Sequence, residues 1–205
     1  EEYFLNLCLS LSSLVSSTHD THIQEQEDAV NGDDDYDASS AGKRALIGLE
    51  GVNLQLLLLK RHATDVNVQG ALQVLSHATS GHTATARAVC ADAVSWGALK
   101  HVSPFLMGVS ALKRGKKKKR KEGGDGAERE LVLEHCVATL TNLVTHLHAE
   151  TDQDAGARLA AKFAENAGEK LRRVLTLFAR YHVKVAAVES DLTSREKALL
   201  EQIAQ

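Results

Sequence analysis

The sequence predicts an all-α fold, an α-solenoid of stacked helical repeats, and three observations carry that expectation. Apolar residues recur at three- and four-residue steps in one segment after another. Ala, Leu and Val dominate a composition with a single proline and 4% aromatics, which favours helix. Two segments of the same pattern also lie a fixed distance apart, so the helices come in units. At 205 residues, 43% of them apolar, the chain is long enough to bury the core of a mid-sized domain.

The elements follow in order. Residues 3–15 place Tyr3, Phe4, Leu7, Leu11, Leu14 and Val15 on one helical face. Residues 18–42 lose all periodicity and are rich in Asp, Gln, Ser and Gly, so a disordered acidic insert is expected there. Residues 51–61 are Leu-rich and end in Lys60 and Arg61, cations that suit the negative end of a helix. Val68, Ala71, Leu72, Leu75 and Ala78 give one face to a helix over 66–79, with Gly81 as its stop. Residues 83–95 read as a helix of small residues ending before Gly97. Ser103-Pro104 predicts a new helix start, with Ser as cap and Pro in the first turn. Leu133, Val137, Leu140, Val144 and Leu147 mark a helix over 129–148. A short helix over 157–166 precedes a long amphipathic one carrying Leu171, Val174, Leu175, Phe178, Tyr181, Val185 and Val188. Thr193-Ser194-Arg195-Glu196 reads as a capping box opening a last helix.

A repeat is hidden among these helices. EGVNLQLLLL (50–59) matches WGALKHVSPFLM (96–107), with Gly51 and Gly97 46 residues apart. Each is followed by a helix with a Leu-x-x-Leu core, first Leu72 and Leu75, then Leu140 and Leu143. The second interval is longer by 22 residues (43 against 21), nearly the length of the stretch 108–129 that holds a basic run. That run is therefore an insertion between two packed helices of one unit. A period in the forties with two or three helices per unit is the armadillo/HEAT signature. The organisation expected is armadillo-like repeats over 1–188, with inserts at 18–42 and 109–128, and a C-terminal helix, cut short, over 189–205. The chain opens on EEYFLN without a methionine and is expected to be a piece of a longer protein.

Certain residues carry a family likeness. ARLAAKFAENAGEKLRRVLTLFARY (157–181) resembles a C-terminal stretch of the beta-catenin-like proteins, nuclear armadillo-repeat proteins associated with the spliceosome. GLEGVNLQLLLLKRHATDVNVQGALQVLSHA (48–78) is similar to the same family, as is WGALKHVSPFLMGVSALKRGKKKK joined to EHCVATLTNLVTHL. The likeness covers most of 1–16 and 44–188. The acidic insert and the enrichment in Ala and His depart from the family pattern, as in a distant orthologue. The resemblance implies a non-enzymatic scaffold in pre-mRNA splicing that accompanies the nineteen complex in the nucleus. It implies protein partners, namely splicing factors with basic localisation-type segments, and a homodimer formed through the C-terminal region.

Charge is unevenly placed. Eight acidic residues and no Lys or Arg lie between Asp20 and Asp37, while Lys113, Arg114, Lys116, Lys117, Lys118, Lys119, Arg120 and Lys121 make a run of +8. The remainder of the chain then holds its whole net charge of −3. As a nuclear localisation signal, the basic run would enter acidic grooves of an import receptor in extended form. As a nucleic-acid contact it would neutralise phosphates, although no aromatics interleave it for base stacking. Docking onto Asp33-Asp34-Asp35 is a third use, screened beyond roughly 8 Å at physiological salt.

Other chemistry is poorly represented. NGDDDYD (31–37) lacks the Gly and Glu of a calcium loop. Ten histidines form no HExxH or Cys/His cluster, and Cys8, Cys90 and Cys136 form no CxxC, so neither metal nor cofactor is expected. Enzyme templates such as a phosphate loop or GxSxG are missing, and the longest apolar runs are too short to span a bilayer. Trp96 beside Gly97 reads as core packing. Partner-facing candidates are Gln69, Gln73, His77, Thr141, Asn142 and Thr145, which flank the apolar stripes of the two inner helices 66–79 and 131–148. Asn142 matches the Asn that many armadillo repeats aim at a partner's backbone; an inter-helix hydrogen bond is the other reading. Two rival functions remain: nucleic-acid binding through Lys113–Lys121, and a cytosolic armadillo adaptor without a splicing link.

Overall fold

The computed structural model describes residues 2–15, 38–60, 65–108, 125–148 and 153–203, and all regular structure among them is helical. The helices are α1 (Glu2–Val15), α2 (Ala38–Gly48), α3 (Gly51–Lys60), α4 (Asp65–Ala78), α5 (Ala84–Ser95), α6 (Ala98–Leu106), α7 (Asp125–His146) and α8 (Gln153–Ile203). The chain divides into two compact units, Glu1–Lys162 and Phe163–Gln205.

In the first unit, like helices stack on like. α2–α3–α4 and α5–α6–α7 are two successive three-helix repeats. Their first helices touch each other (α2 on α5), as do their second (α3 on α6) and, most extensively, their third (α4 on α7). α1 packs on the other side of α4 and so takes the place of a third helix from a preceding repeat. The inner row is therefore α1–α4–α7. Val68, Ala71, Leu72, Val74, Leu75 and Ala78 are buried all along its central member, which has a neighbour on either side. Cys136, Leu140, Leu143 and Leu147 continue the core on α7. The stretch holding the basic run does lie between α6 and α7, two helices in mutual contact.

The junctions show how the repeat is written locally. Gly97, with φ 89°, ends α5 and starts α6. Its N–H reaches Val94 O, and its carbonyl accepts from Lys100 and His101. The corresponding residue between α2 and α3 is Glu50, with φ 52°, not Gly51. The structural offset is thus 46 residues at the first helices (Ala38 to Ala84) and 47 at the second (Gly51 to Ala98). Gly51 instead marks a close approach. A Cβ there would overlap Leu46, whose side chain is buried beneath the turn. Thr83 caps α5, its Oγ1 accepting from Ala86 N at 3.1 Å.

Four local expectations are corrected. α2 begins at Ala38, so residues 38–42 are helical, and Ser40 and Lys43 are buried. α7 begins at Asp125, inside the span expected for the basic insert. No helix starts at Ser103-Pro104. α6 already runs from Ala98, Pro104 lies inside it, and Ser103 Oγ donates to Leu99 O. Nor does Thr193 open a helix: Thr193 Oγ1 donates to Glu189 O and Ser194 Oγ to Ser190 O, within the later part of α8. The acidic run to Asp37 and the basic residues Lys113–Lys121 lie outside the described residues.

The second unit is built on the later part of α8. Helical geometry breaks at residues 165–168, where Asn166, Ala167 and Gly168 have φ of 52°, 55° and 75°. Lys170 Nζ donates to Glu165 Oε2 at 3.0 Å across the break. Beyond it, apolar side chains recur at 171, 174, 178, 181, 185, 188 and 192, alternating steps of three and four. Leu171, Phe178, Val185, Val188 and Leu192 in that series are each more than half exposed.

Candidate interaction surface

Helix α4 supplies the middle of the inner row. Gln69, Gln73 and His77 are four residues apart, hence on one stripe, and each is half-buried between its neighbours. On α7, Thr141 and Thr145 are exposed and Asn142 is half-buried. The two helices meet at the C-terminus of α4. There His77 lies 6.3 Å, centroid to centroid, from His135 of α7.

Asn142 is turned toward α4. Its Nδ2 donates to Ser76 O and to Thr79 Oγ1, both at 3.1 Å, so both amide hydrogens serve the helix–helix contact. Only its carbonyl oxygen is left for a partner. The reason lies in the end of α4, whose last carbonyls lack intrahelical donors. Leu75 O takes Thr79 N and Thr79 Oγ1, His77 O takes Ser80 N and Ser80 Oγ, and Ser76 O takes Asn142. Lys43, 1% exposed, reaches over from α2 and donates to Ser80 O at 2.5 Å. A cation at this position also meets the negative end of the α4 dipole. Asn142→Ala leaves Ser76 O and Thr79 Oγ1 without this donor; we expect a loss of about 2 kcal/mol in urea unfolding, with helix content unchanged by circular dichroism.

Titration at this site is set by burial. His77, His135 and His146 are each held below the usual imidazole range, by desolvation first. Lys43 adds to this for His77 and His146, and His77 adds to it for His135. The thiols of Cys90 and Cys136 are pushed up to about 12 by burial, which holds both as neutral thiols near pH 7. Among the described residues no cluster of three or more His, Cys, Asp or Glu side chains could hold a metal ion, and no helix is long and apolar enough to cross a membrane.

Trp96 is where the sequence misleads. It is 44% exposed at the α5–α6 junction, with Nε1 donating to Asp92 Oδ1 at 3.1 Å. Leu49, at the preceding junction, is 81% exposed, and Glu50 beside it lies close enough to Asp92 to raise that carboxyl's pKa further after desolvation. The only cue in the sequence is position, since Trp96 directly precedes the Gly that ends α5 and so falls off the buried stripe.

Stacked three-helix units with a ladder of third helices make an armadillo-type arrangement, and comparison with known families agrees. A family model described as catenin-beta-like, Arm-motif containing nuclear, matches residues 37–205. The chain belongs to the catenin-beta-like family. Searches of the curated proteins and of the solved structures return no match. For this catenin-beta-like chain the match starts one residue before α2 and runs through both repeats and α8. The family is Arm-motif containing and nuclear, the fold and compartment read from the sequence.

Proposed function

We propose that this catenin-beta-like chain is a non-enzymatic protein-interaction scaffold working in pre-mRNA splicing, associated with the nineteen complex. The observation that carries the scaffold reading is the inner row α1–α4–α7, a ladder of stacked helices of the kind that presents an extended surface to partners. Gln69, Gln73 and His77 on α4, with Thr141, Thr145 and the Asn142 carbonyl on α7, are the partner-facing groups, suited to hydrogen-bonding an extended segment. Partners are splicing factors with basic, localisation-type segments. Affinity purification of the full-length protein tests this: splicing factors are the expected recovery, and cytoskeletal or membrane proteins would overturn it.

The run Lys113–Lys121 serves nuclear import. Fused to a cytoplasmic reporter, residues 109–124 should move it into the nucleus, and changing the eight Lys and Arg to Ala should return it to the cytoplasm. A reporter that stays cytoplasmic points to the adaptor reading. The same charge supports a second reading, RNA binding, whose mark is an affinity that falls steeply with salt and disappears in the Ala variant. Self-association through the C-terminal region is supported by the exposed series Leu171, Phe178, Val185, Val188 and Leu192, and sedimentation of the full chain reads it directly.

A further inference from the structure

We propose that the end of α4 and its seam with α7 form a proton-sensitive latch, in which charging of His77, His135 and His146 beside the Lys43 ammonium separates the two repeats. The geometry is specific to this end of the helix. His77 and His135 face each other across the seam at 6.3 Å, and His82 and His146 do so at 6.4 Å where the chain leaves α4. Lys43, buried to 1% exposure, stands at the same turn. Two imidazoles within residues 76–82, two from α7 and one ammonium from α2 therefore gather at this turn.

The hydrogen bonds set the protonation states. Ser76 Oγ donates to Gln73 O at 2.9 Å, so it accepts from His135 Nδ1–H at 3.1 Å. That assigns the neutral tautomer of His135 and places any second proton on Nε2, on the ring already facing His77. His146 is tied to the backbone of Gly81, which favours its charged form, but burial outweighs this bond.

Among the described residues, the groups that act on these histidines through their charge are mostly basic. From α2 comes Lys43, from α5 Arg87, and from the α4–α5 turn His82. Glu134 of α7 acts on His135 in the opposite sense and is outweighed by burial. α1, on the other side of α4, offers only Cys8 as a titratable group among residues 7–15. Each of the three histidines binds its proton less readily in the fold than in the unfolded chain. The stability they contribute is complete above the unfolded value, near 6.5, and is lost as pH falls from there through the folded values. His101 on α6, lowered by burial first and then by Lys100 and Lys60, acts in the same sense away from the seam. Asp92, raised by desolvation, acts in the opposite sense.

The test uses the whole chain. Wild type should lose about 4 °C or more in unfolding temperature between pH 7.5 and pH 5.5. The triple variant His77→Gln, His135→Asn, His146→Gln keeps His101 and Asp92 and should lose less than half as much. Equal losses would overturn the latch. Should the variant not fold, wild type alone decides by hydrogen exchange, corrected for intrinsic rates. Protection should fall at pH 5.5 in residues 75–82 and 135–146 while α5 and α6 keep theirs. A uniform fall, or none, rejects the proposal.

Discussion

Leu72→Ala is expected to remove about 4 kcal/mol of stability and to lower the unfolding temperature by on the order of 10 °C. Leu72 is fully buried in α4, the one helix of the inner row that has α1 on one side and α7 on the other. The helices packed on α4 belong to different repeats. Relaxing one of them toward the cavity disturbs its own neighbours, so the space closes poorly, and the loss should sit toward the upper end for a Leu truncation. Against a total stability of roughly 5–15 kcal/mol this is a large fraction. Leu49→Ala is the control: at 81% exposure it should change stability by no more than about 0.5 kcal/mol. Urea unfolding of the two variants checks both values; equal losses would mean that α4 is not the centre of the packing.

Gly42 carries the second large effect. A Cβ at this position would overlap the carbonyl oxygen of Leu14 and approach its carbonyl carbon at 3.0 Å. The obstacle is backbone, so α1 and α2 must move apart. Ala at Gly42 would gain about 1 kcal/mol of helix propensity and lose about 3 kcal/mol to the overlap, a net loss of about 2 kcal/mol. Gly42→Val forfeits most of the propensity gain and should lose about 3 kcal/mol or more. Gly48, the last residue of α2, meets nothing within 4 Å, so Gly48→Ala should be neutral or slightly stabilising. Thermal unfolding of the three variants distinguishes close helix approach from a general dislike of substitution in α2.

These two positions also mark what the sequence does and does not reveal. α3, α4 and α7 were legible because their Leu and Val residues fall at helical spacing and are then buried on that face, as at Leu56, Leu72, Leu75 and Leu143. α2 was not. Its sequence ASSAGKRALIG has few large apolar residues, and it is held instead by the close approach at Gly42 and the burial of Lys43. Neither leaves a periodic trace. Pro104 suggested a helix start, yet the αL glycine at Gly97 had already opened α6. The Thr193-Ser194 pair offered a cap, but in α8 both hydroxyls bond back to the preceding turn. At the candidate surface, pattern gives Gln69, Gln73 and His77 the four-residue spacing of one α4 stripe. It could not show that Asn142 turns back to α4, because that depends on which carbonyls the end of α4 leaves without donors.

The matching order of α2–α3–α4 and α5–α6–α7 has an architectural consequence. A segment such as 38–83, running from the start of α2 to the cap of α5, is a self-contained cassette whose two faces resemble those of its neighbour. Duplicating it in tandem should lengthen the array by one rung without redesigning either end. A protein assembled this way can gain reach in whole steps, by copying a length of chain rather than by inventing a new one.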